Sequence, residues 1–380
     1  MKEIRLSGSK KILIITTEFP PGPGGIGNHA FNLAKYLNLN NIQTKVLTIS
    51  DFAGRSEEQK FDTKQKFEII RFKRYSSRVK TYLQRLKVIL KEVKHNRPTH
   101  IIFSGRTALM SSLMIKRTYK KIRLIAIAHG GDINADNAME RVLVKKALSF
   151  MDLIIPVSNY SKSKIKTGVK EGKVVVIPNG FDFENIEGLN IKDKVLRNGS
   201  LTLVTVGTVW PRKGHHNVLN ALPKIISNFP QTKYNIIGRL TDLSKVKNFI
   251  EDEKLKRYIH IHGSISNEEM HDVLNQSQIF ILLSESQTTG DFEGFGIAVL
   301  EANYFGLPAI GSKNSGLEDA INNGVSGILV YPVNKSEVYE AVFTISKNYS
   351  QFSEGARQWA LQHHWSNIIK RYIKAIESLN

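Results

Sequence analysis

Short apolar runs alternate with amphipathic stretches along the whole of this 380-residue chain. The first apolar run, residues 11–17, is typical of a buried strand, and a stretch with helical spacing follows it. Seven strands are predicted in the first half, ending with 173–178, and six in the second half, beginning with 201–207. Strands that alternate with helices form parallel sheets covered on both faces. The pattern therefore predicts an α/β fold.

Length and one irregular segment indicate two domains. The chain is about two to three times as long as a typical domain, and residues 182–200 show no clear periodicity, as expected of a linker. We predict an N-terminal domain over 1–185 and a C-terminal domain over 200–361. Each is expected to be a doubly wound, Rossmann-like sheet, with ligands held in the cleft that the domains face, outside the carboxyl ends of the strands.

Composition narrows the class of protein. The chain has no cysteine, which excludes disulfides and thiolate chemistry and fits a reducing compartment. No apolar stretch approaches the roughly 18 residues of a membrane span. The first apolar run is too short for a signal-peptide core and meets Glu18 almost at once. We therefore expect a cytoplasmic protein.

Positive charge is concentrated in one half of the chain. Residues 1–180 contain 34 Lys/Arg against 13 Asp/Glu, a net charge of +21, whereas residues 181–380 contain 20 against 21, a net charge of −1. Solubility alone would not require this asymmetry. A surface of one sign attracts partners of the other sign, so the first half is expected to meet an anionic partner.

Two glutamates lie eight positions apart, at Glu293 and Glu301. A strand-like run at 278–283 precedes them, then a loop rich in Gly, Ser and Thr, and a helix is predicted from about Phe295. The free N–H groups of a helix N-terminus at the end of a parallel strand form a site for phosphate. Glu293 lies in the loop and Glu301 about two turns further on the same side of the helix. The arrangement suits a nucleotide sugar, with each carboxylate accepting hydrogen bonds from sugar hydroxyls.

This segment resembles the donor-site motif of the retaining glycosyltransferases of family 4, which have the two-domain GT-B fold. The positions that match the family pattern are Glu293, Phe295, Gly296, Ile297, Glu301, Ala302, Gly306 and Pro308. The resemblance implies a donor-binding role for Glu293, Gly294, Phe295, Gly296, Ile297 and Glu301. It also implies that a C-terminal helix, at about 362–380, packs back on the first domain.

A glycine-rich loop follows the first strand. Glycines allow a ligand to approach the backbone closely, and the next helix offers its N-terminus to phosphate, although turn chemistry explains such a loop equally well. The family has a Gly-Gly loop that closes over the donor diphosphate. The resemblance therefore implies a donor-binding role for Gly24 and Gly25.

The fifth strand of the first half ends at His129, and Asp132 follows shortly after it. A histidine at the end of a buried strand is commonly structural. The family has a histidine at this place, where it meets the sugar and the acceptor. The resemblance therefore implies a catalytic role for His129 and a donor-binding role for Asp132.

The second domain opens with a strand that ends at Gly207, followed by Arg212 and Lys213 before the next helix. Cations and free amides in such a place bind a diphosphate leaving group. The family pattern has Gly-Arg at the strand end and Lys-Gly after it. Gly207 and Lys213 match, whereas Thr208 stands where the arginine is usual, so either Arg212 takes over that role or one phosphate contact is missing.

Two further features concern the base and metals. Gly263 ends a strand where related enzymes hold the base through backbone contacts. Neighbouring histidines at 215–216 and 363–364 point apart by about 100° on a helix and cannot share an ion. The chain has no His-Glu-x-x-His and no Asp-x-Asp sequence. We expect no metal and no cofactor, the nucleotide sugar being a substrate.

Residues 71–97 contain ten Lys/Arg and one acid, Glu92. An apolar stripe is predicted on one helix face, and a basic set lies on another: Val79, Leu83, Leu86, Leu90 and Val93 against Lys80, Lys87, Lys91 and Lys94. One interpretation is a helix packed on its sheet with a solvated basic face. The other is a docking surface for an anionic membrane or a lipid-linked acceptor, with each cation contributing about 1 kcal/mol.

These observations predict a cytoplasmic glycosyltransferase, peripheral on the inner membrane face, that moves a hexose from a GDP- or UDP-sugar to a glycan or lipid-linked acceptor. Lys213, Arg212, Glu293 and His129 are the predicted catalytic residues. An alternative is a binder of nucleic acid or another polyanion, but the chain lacks aromatic-interleaved basic motifs, so no nucleic-acid partner is expected. A second alternative keeps the fold but makes the chain a catalytically silent subunit, which Thr208 favours.

Overall fold

A computed structural model describes most of the chain. The residues described are 10–22, 24–50, 54–134, 137–165, 169, 172–184, 186, 188–189, 191, 194, 196, 199–288 and 290–379, with Arg78 described by its backbone alone.

The chain divides into two compact units. The first contains Met1–Val157, Ser161–Gly180 and Trp365–Asn380, and the second contains Ser158–Tyr160 and Phe181–His364. The predicted domains, over 1–185 and 200–361, compare with divisions after Gly180 and after His364.

The first unit is built on a six-stranded parallel sheet of order β3-β2-β1-β4-β5-β6. Its strands are β1 (Lys11–Thr16), β2 (Gln43–Ser50), β3 (Glu68–Lys73), β4 (His100–Ser104), β5 (Arg123–Ala128) and β6 (Leu153–Pro156). The helices in this part of the chain are α1 (Gly25–Leu39), α2 (Arg55–Asp62), α3 (Arg78–Asn96), α4 (Arg106–Thr118), α5 (Ala138–Ser149) and α6 (Asn159–Ser163). Central strands such as β4 are buried along their whole length, which accounts for their continuous apolar sequence.

The second unit repeats this architecture in a sheet of order β12-β11-β10-β7-β8-β9, again all parallel. Its strands are β7 (Ser200–Val206), β8 (Gln231–Ile237), β9 (Ile259–Gly263), β10 (Ile279–Leu282), β11 (Ala309–Ser312) and β12 (Gly327–Val330). Its helices are α7 (His215–Asn228), α8 (Lys247–Glu251), α9 (Asn267–Gln276), α10 (Ile297–Tyr304), α11 (Leu317–Ala320), α12 (Lys335–Lys347) and α13 (Tyr349–Gln362), with 3-10 turns at Pro211–Lys213 and Lys256–Tyr258. The predicted pair of doubly wound sheets is confirmed.

The last helix, α14 (Trp365–Glu377), belongs to the first unit. Its apolar face packs on α1, where the Trp365 and Tyr36 rings stack with centroids 6.1 Å apart. One polar contact joins the same two helices, a 2.9 Å hydrogen bond between His29 Nε2 and the Tyr372 hydroxyl. The chain therefore ends on the unit in which it began.

The prediction of a strand at 173–178 is wrong. Val174 forms a single bridge with Ile154 of β6, and the backbone bond from Ile177 N–H to Pro156 O extends the contact without making a strand. Proline lacks an N–H group. Because Pro156 and Pro178 stand in the two segments, a regular ladder cannot continue between them.

Helix α3 does not bury the face predicted for it. Thr81, Arg85, Ile89 and Val93 are buried, whereas Val79 and Leu83 are 69% and 59% exposed. The helix is turned because Thr81 Oγ1 bonds the backbone of Tyr75 and the Arg85 guanidinium lies over the Phe72 ring, 5.2 Å from its centroid. The basic residues Lys80, Lys87, Lys91 and Lys94 are exposed, as predicted.

Candidate functional site

One buried carboxylate and two cations meet beside the carboxyl ends of β7 and β10. Glu293 Oε2 lies 2.6 Å from Lys213 Nζ and 3.0 Å from Arg212 Nη1. Arg212 Nε lies 2.8 Å from Asp291 Oδ2. The side chains of Glu293, Arg212 and Lys213 are 11%, 18% and 17% exposed. Residues about 80 positions apart in the sequence therefore form one partly enclosed ion cluster.

The charges in this cluster stabilise one another. Burial by itself would raise the pKa of the Glu293 carboxyl, but Lys213 and Arg212 outweigh it and lower that pKa to about 2. For Arg212, burial opposes the charge, while Glu293 and Asp291 raise its pKa. Glu293 and Arg212 are therefore ionised at neutral pH, and an entering anion competes with Glu293 for the two cations.

Two glycines fix the loops that carry these residues. Gly214 follows Lys213 with φ 69°, and a Cβ there would lie 1.7 Å from the Leu283 carbonyl oxygen. Gly296 caps α10 with φ 88°, and a Cβ there would lie 2.5 Å from Leu317 Cδ2. Since L-residues rarely adopt either conformation, close packing and chain direction both require glycine here. Helix α10 begins at Ile297, two residues later than predicted.

Glu285 ties the loop after β10 to the start of α7. Its N–H donates to Arg212 O at 2.8 Å. Its Oε1 atom accepts from Asn217 Nδ2 at 2.8 Å and lies 2.9 Å from His216 Nε2. These contacts join the loop that contains the two cations to the loop that leads to Glu293.

The second glutamate of the motif faces another helix. Glu301 lies in α10, its side chain is 18% exposed, and its Oε1 lies 3.4 Å from His271 Nε2 of α9. Phe295 is 2% exposed, so any contact that it makes with a donor comes from its main chain. Gly294 and Ile297 lie in the same segment, and Gly316 N–H bonds Glu293 O at 2.9 Å.

The remaining glycines predicted in the second unit lie at strand ends. Gly207 follows β7, and the Lys213 side chain passes it, with Cε 3.5 Å from where a Cβ would be. Gly263 ends β9, and its carbonyl accepts from Gly238 N–H at 2.8 Å. Their roles in holding a phosphate or a base stay predictions.

The predicted residues of the first unit lie after β1 and β5. Gly24 is the N-cap of α1 and Gly25 is its first residue. His129 Nε2 lies 2.9 Å from Ser104 Oγ. Asp132 Oδ1 accepts from the backbone N–H groups of His129 and Gly130, at 2.9 and 2.7 Å. This carboxylate therefore orders the loop around His129, and its predicted contact with a donor is untested.

A second histidine supports the ring of His129. The His29 and His129 rings meet edge to face with centroids 4.8 Å apart, and His29 is bonded to Tyr372 of α14. Burial, followed by the charge of His129, holds the pKa of His29 well below its usual value. Burial also lowers the pKa of His129, against the opposing effect of Asp132. Both rings are neutral at pH 7.

Within the described part of the chain, no three His, Asp or Glu side chains are grouped so that they could hold a metal ion. Metal independence remains a prediction.

Comparison with known families decides the class of protein. The model of "Glycosyltransferase Family 4" matches residues 23–185, and that of "Glycosyl transferases group 1" matches residues 188–359. The chain belongs to the GT-B glycosyltransferases of family 4. The resemblance drawn from the Glu293–Glu301 segment is thereby confirmed.

Relatives of this glycosyltransferase are distant. A GDP-mannose-dependent alpha-(1-6)-phosphatidylinositol monomannoside mannosyltransferase of Mycolicibacterium smegmatis is 22% identical over 368 residues, covering 93% of this chain and 94% of the relative. The amylovoran biosynthesis glycosyltransferase AmsK of Erwinia amylovora is 27% identical over 208 residues, covering 54% of this chain but only 50% of AmsK. Anabaena Alr3699/HepE in complex with UDP has the same fold, with a TM-score of 0.76, 18% identity, and coverage of 97% and 100%.

Sequence reasoning missed three residues of this glycosyltransferase that contact the predicted ones. Asp291 holds Arg212, Glu285 holds the start of α7, and His29 supports His129. Glu285 and Asp291 both lie in the loop between β10 and Glu293, so an acid in that loop was an available signal. His29 directly follows the glycine-rich loop but gave no sign of its contact with the fifth strand.

Proposed function

We propose that this protein transfers a hexose from a nucleotide diphosphate donor to an acceptor hydroxyl, with retention of anomeric configuration and without a metal ion. The main observation in support is the ion cluster, in which Lys213 and Arg212 both contact one oxygen of Glu293. A site that holds two cations and an acid together at the carboxyl edge of a parallel sheet suits a ligand that joins a diphosphate to a polyhydroxyl group.

In this proposal the donor diphosphate takes over Lys213 and Arg212, and Glu293 turns its freed oxygens to hydroxyls of the transferred sugar. The two cations then stabilise the charge that develops on the departing diphosphate, a contribution that commonly dominates such reactions. Arg212 reaches the same carboxylate oxygen as Lys213, which supports its taking the part of the arginine that Thr208 replaces. Glu301 binds the ribose hydroxyls.

The proposed donor is a GDP- or UDP-sugar. Its support is the M. smegmatis relative, which is named as GDP-mannose-dependent, and the UDP bound by the structurally similar HepE. The proposed acceptor is a glycan or lipid-linked intermediate, in keeping with relatives named for phosphatidylinositol mannoside and amylovoran synthesis.

We propose further that the protein works in the cytoplasm on the inner face of a membrane. Among the described residues, no helix has both the length and the apolar character to cross a bilayer. Support for peripheral docking comes from α3, where the exposed Val79 and Leu83 adjoin the exposed Lys80 and Lys87. Such a mixed surface can insert its apolar groups while its cations meet anionic headgroups.

The test is release of free nucleotide from a panel of UDP-, GDP- and dTDP-sugars, each with and without a polyprenyl-linked glycan acceptor. We expect one sugar nucleotide to be consumed, and Glu293→Gln to lower kcat/KM about 10²- to 10³-fold. Product anomers identified by NMR would check retention. No turnover of any donor by a folded wild-type protein would instead favour the silent-subunit alternative.

A further inference from the structure

A second basic site lies in the first unit, at the amino ends of β4 and β5. A cavity of about 630 Å³ opens there between the end of α3 and the turn before β5. Four cationic side chains line it, and no carboxylate does so among the described residues. The four are Lys94, Arg97, Lys121 and Arg123.

This cavity is separate from the predicted catalytic residues of its own unit. Arg123 begins β5 and His129 follows its end. Six residues of strand at about 3.3 Å each place the two about 20 Å apart. The cavity therefore lies at the amino ends of the strands, and the glycine-rich loop lies at their carboxyl ends.

Two buried polar groups, His100 in the cavity wall and Lys10 near His100, have atoms with no hydrogen-bond partner in the described part of the chain. His100 lines the wall and is 4% exposed, and its Nε2 atom makes no hydrogen bond, whereas its Nδ1 pairs with Thr99 Oγ1. Lys10 is 7% exposed, and its ammonium group is likewise unpaired. Leaving such groups buried without partners costs free energy, and the charge of Lys10, which acts on His100, adds to the positive potential around the cavity.

Electrostatics around His100 agree with a site for anions. Burial first, then the positive charges of Lys10 and Arg123, lower the pKa of His100 to about 4, against the opposing effect of Asp152.

The backbone at the rim also favours a role for Arg97. This residue ends α3 with φ 45°, in the left-handed region that glycine and asparagine usually occupy. An arginine therefore stands at the rim of the cavity, at a position where glycine would fit the backbone conformation better.

We propose that this cavity binds a phosphorylated small molecule or headgroup. The volume lies within the range of ligand pockets, about 300–1,000 Å³, and exceeds what a lone phosphate would fill. The wall also contains Tyr119 and Ile122, which suit an uncharged body attached to the phosphate. A soluble phosphate ester and a phospholipid headgroup share this chemistry. The site stands whether or not the chain transfers sugar.

The test uses the full chain, inorganic pyrophosphate as the soluble probe and vesicles of phosphatidylglycerol as the lipid probe. Lys121→Gln/Arg123→Gln removes two cations that are exposed, so folding should be preserved, and circular dichroism checks this. Lys145→Gln/Lys146→Gln removes the same charge from the exposed face of α5 and is the matched control. Neither variant changes the ion cluster of Glu293, Arg212 and Lys213.

We expect calorimetry to detect one pyrophosphate site more in the wild type and the control than in the cavity variant, whose binding at the cavity should be at least about tenfold weaker. Loss of phosphatidylglycerol binding in the cavity variant alone, with no difference in pyrophosphate binding, would support the proposal with a headgroup as the ligand. Equal behaviour of the two variants in both assays would overturn it.

Discussion

The two units share one strand order but differ sharply in charge. The first contains 37 Lys/Arg against 14 Asp/Glu, a net charge of +23, and the second contains 17 against 20, a net charge of −3. Each sheet reverses its order beside its first strand, β1 in one unit and β7 in the other. The same architecture thus presents a strongly basic body and a nearly neutral one, and the chemistry depends on what the loops carry rather than on the fold.

The loops at the carboxyl edges show this difference most clearly. In the second unit, the edge carries the ion cluster of Glu293, Arg212 and Lys213. In the first unit, the corresponding edge carries glycines and the neutral pair His29 and His129. The cations that we propose to bind the leaving group therefore belong to the unit with less positive charge, where Glu293 and Asp291 hold them in place. The surplus cations of the first unit lie on exposed surfaces and around the cavity at the amino ends of β4 and β5.

The largest expected effect concerns Lys213, one of the two cations of the ion cluster. Lys213→Met should lower kcat/KM about 10²- to 10³-fold, because it removes a cation from the place where diphosphate charge develops. Steady-state nucleotide release measures this. The control is Lys247→Met, an exposed lysine of α8 in the same unit, which should leave activity unchanged. Activity within threefold of wild type in Lys213→Met would show that the donor site lies elsewhere.

The second effect is on the way in which the free energy of unfolding depends on pH. The pKa of Glu293 is lowered from 4.5 to about 2 in the folded protein, so the unfolded state binds its proton first. The stabilisation, about 3 kcal/mol, is present above pH 4.5 and is lost as the pH falls towards 2, about 2 kcal/mol of it by pH 3.

Urea unfolding of the wild type and Glu293→Gln at pH 6, 4 and 3 tests this. The variant lacks the titrating carboxyl, so its free energy of unfolding should fall less steeply in this range. Parallel curves would mean that Glu293 is not held by the two cations in solution.

The third effect compares the stability cost of replacing two glycines, Gly214 before α7 and Gly25 at the start of α1. Gly214→Ala should cost about 2–3 kcal/mol in unfolding free energy, since its Cβ would collide with the Leu283 carbonyl and φ is 69°. Gly25→Ala should change stability by less than about 0.5 kcal/mol, because nothing lies within 4 Å of the added carbon. Thermal unfolding measures both. An unchanged unfolding temperature in Gly214→Ala would contradict the close packing of Gly214 against Leu283.

The smallest effect concerns membranes and the basic unit. Lys87→Gln/Lys91→Gln should weaken binding to phosphatidylglycerol vesicles about 30-fold, at about 1 kcal/mol for each cation, with activity on a soluble acceptor unchanged. Lys145→Gln/Lys146→Gln on α5 serves as the control again. Binding should also fall with added salt. If both variants bind like wild type, the face of α3 is merely solvated.

Prediction from the sequence succeeded where the signal is local. Alternating apolar runs placed the strands of both sheets, and the spacing around Glu293 and Glu301 led to the correct family. It failed for 173–178, because an apolar run alone does not show that prolines interrupt the ladder, and for α3. There the spacing of Val79 and Leu83 suggested burial, whereas the contacts of Thr81 and Arg85 with Tyr75 and Phe72 decided which face is inside.

The sequence by itself determined the elements, the doubly wound class, the family and the uneven charge, because each of these follows from short-range pattern or composition. Tertiary structure alone decided that Glu293 pairs with Lys213 and Arg212, that His29 supports His129, and that four cations surround a cavity below β5. These contacts join segments tens to hundreds of residues apart. They form because the order of strands in a sheet brings distant loops to one edge, and no local pattern encodes that proximity.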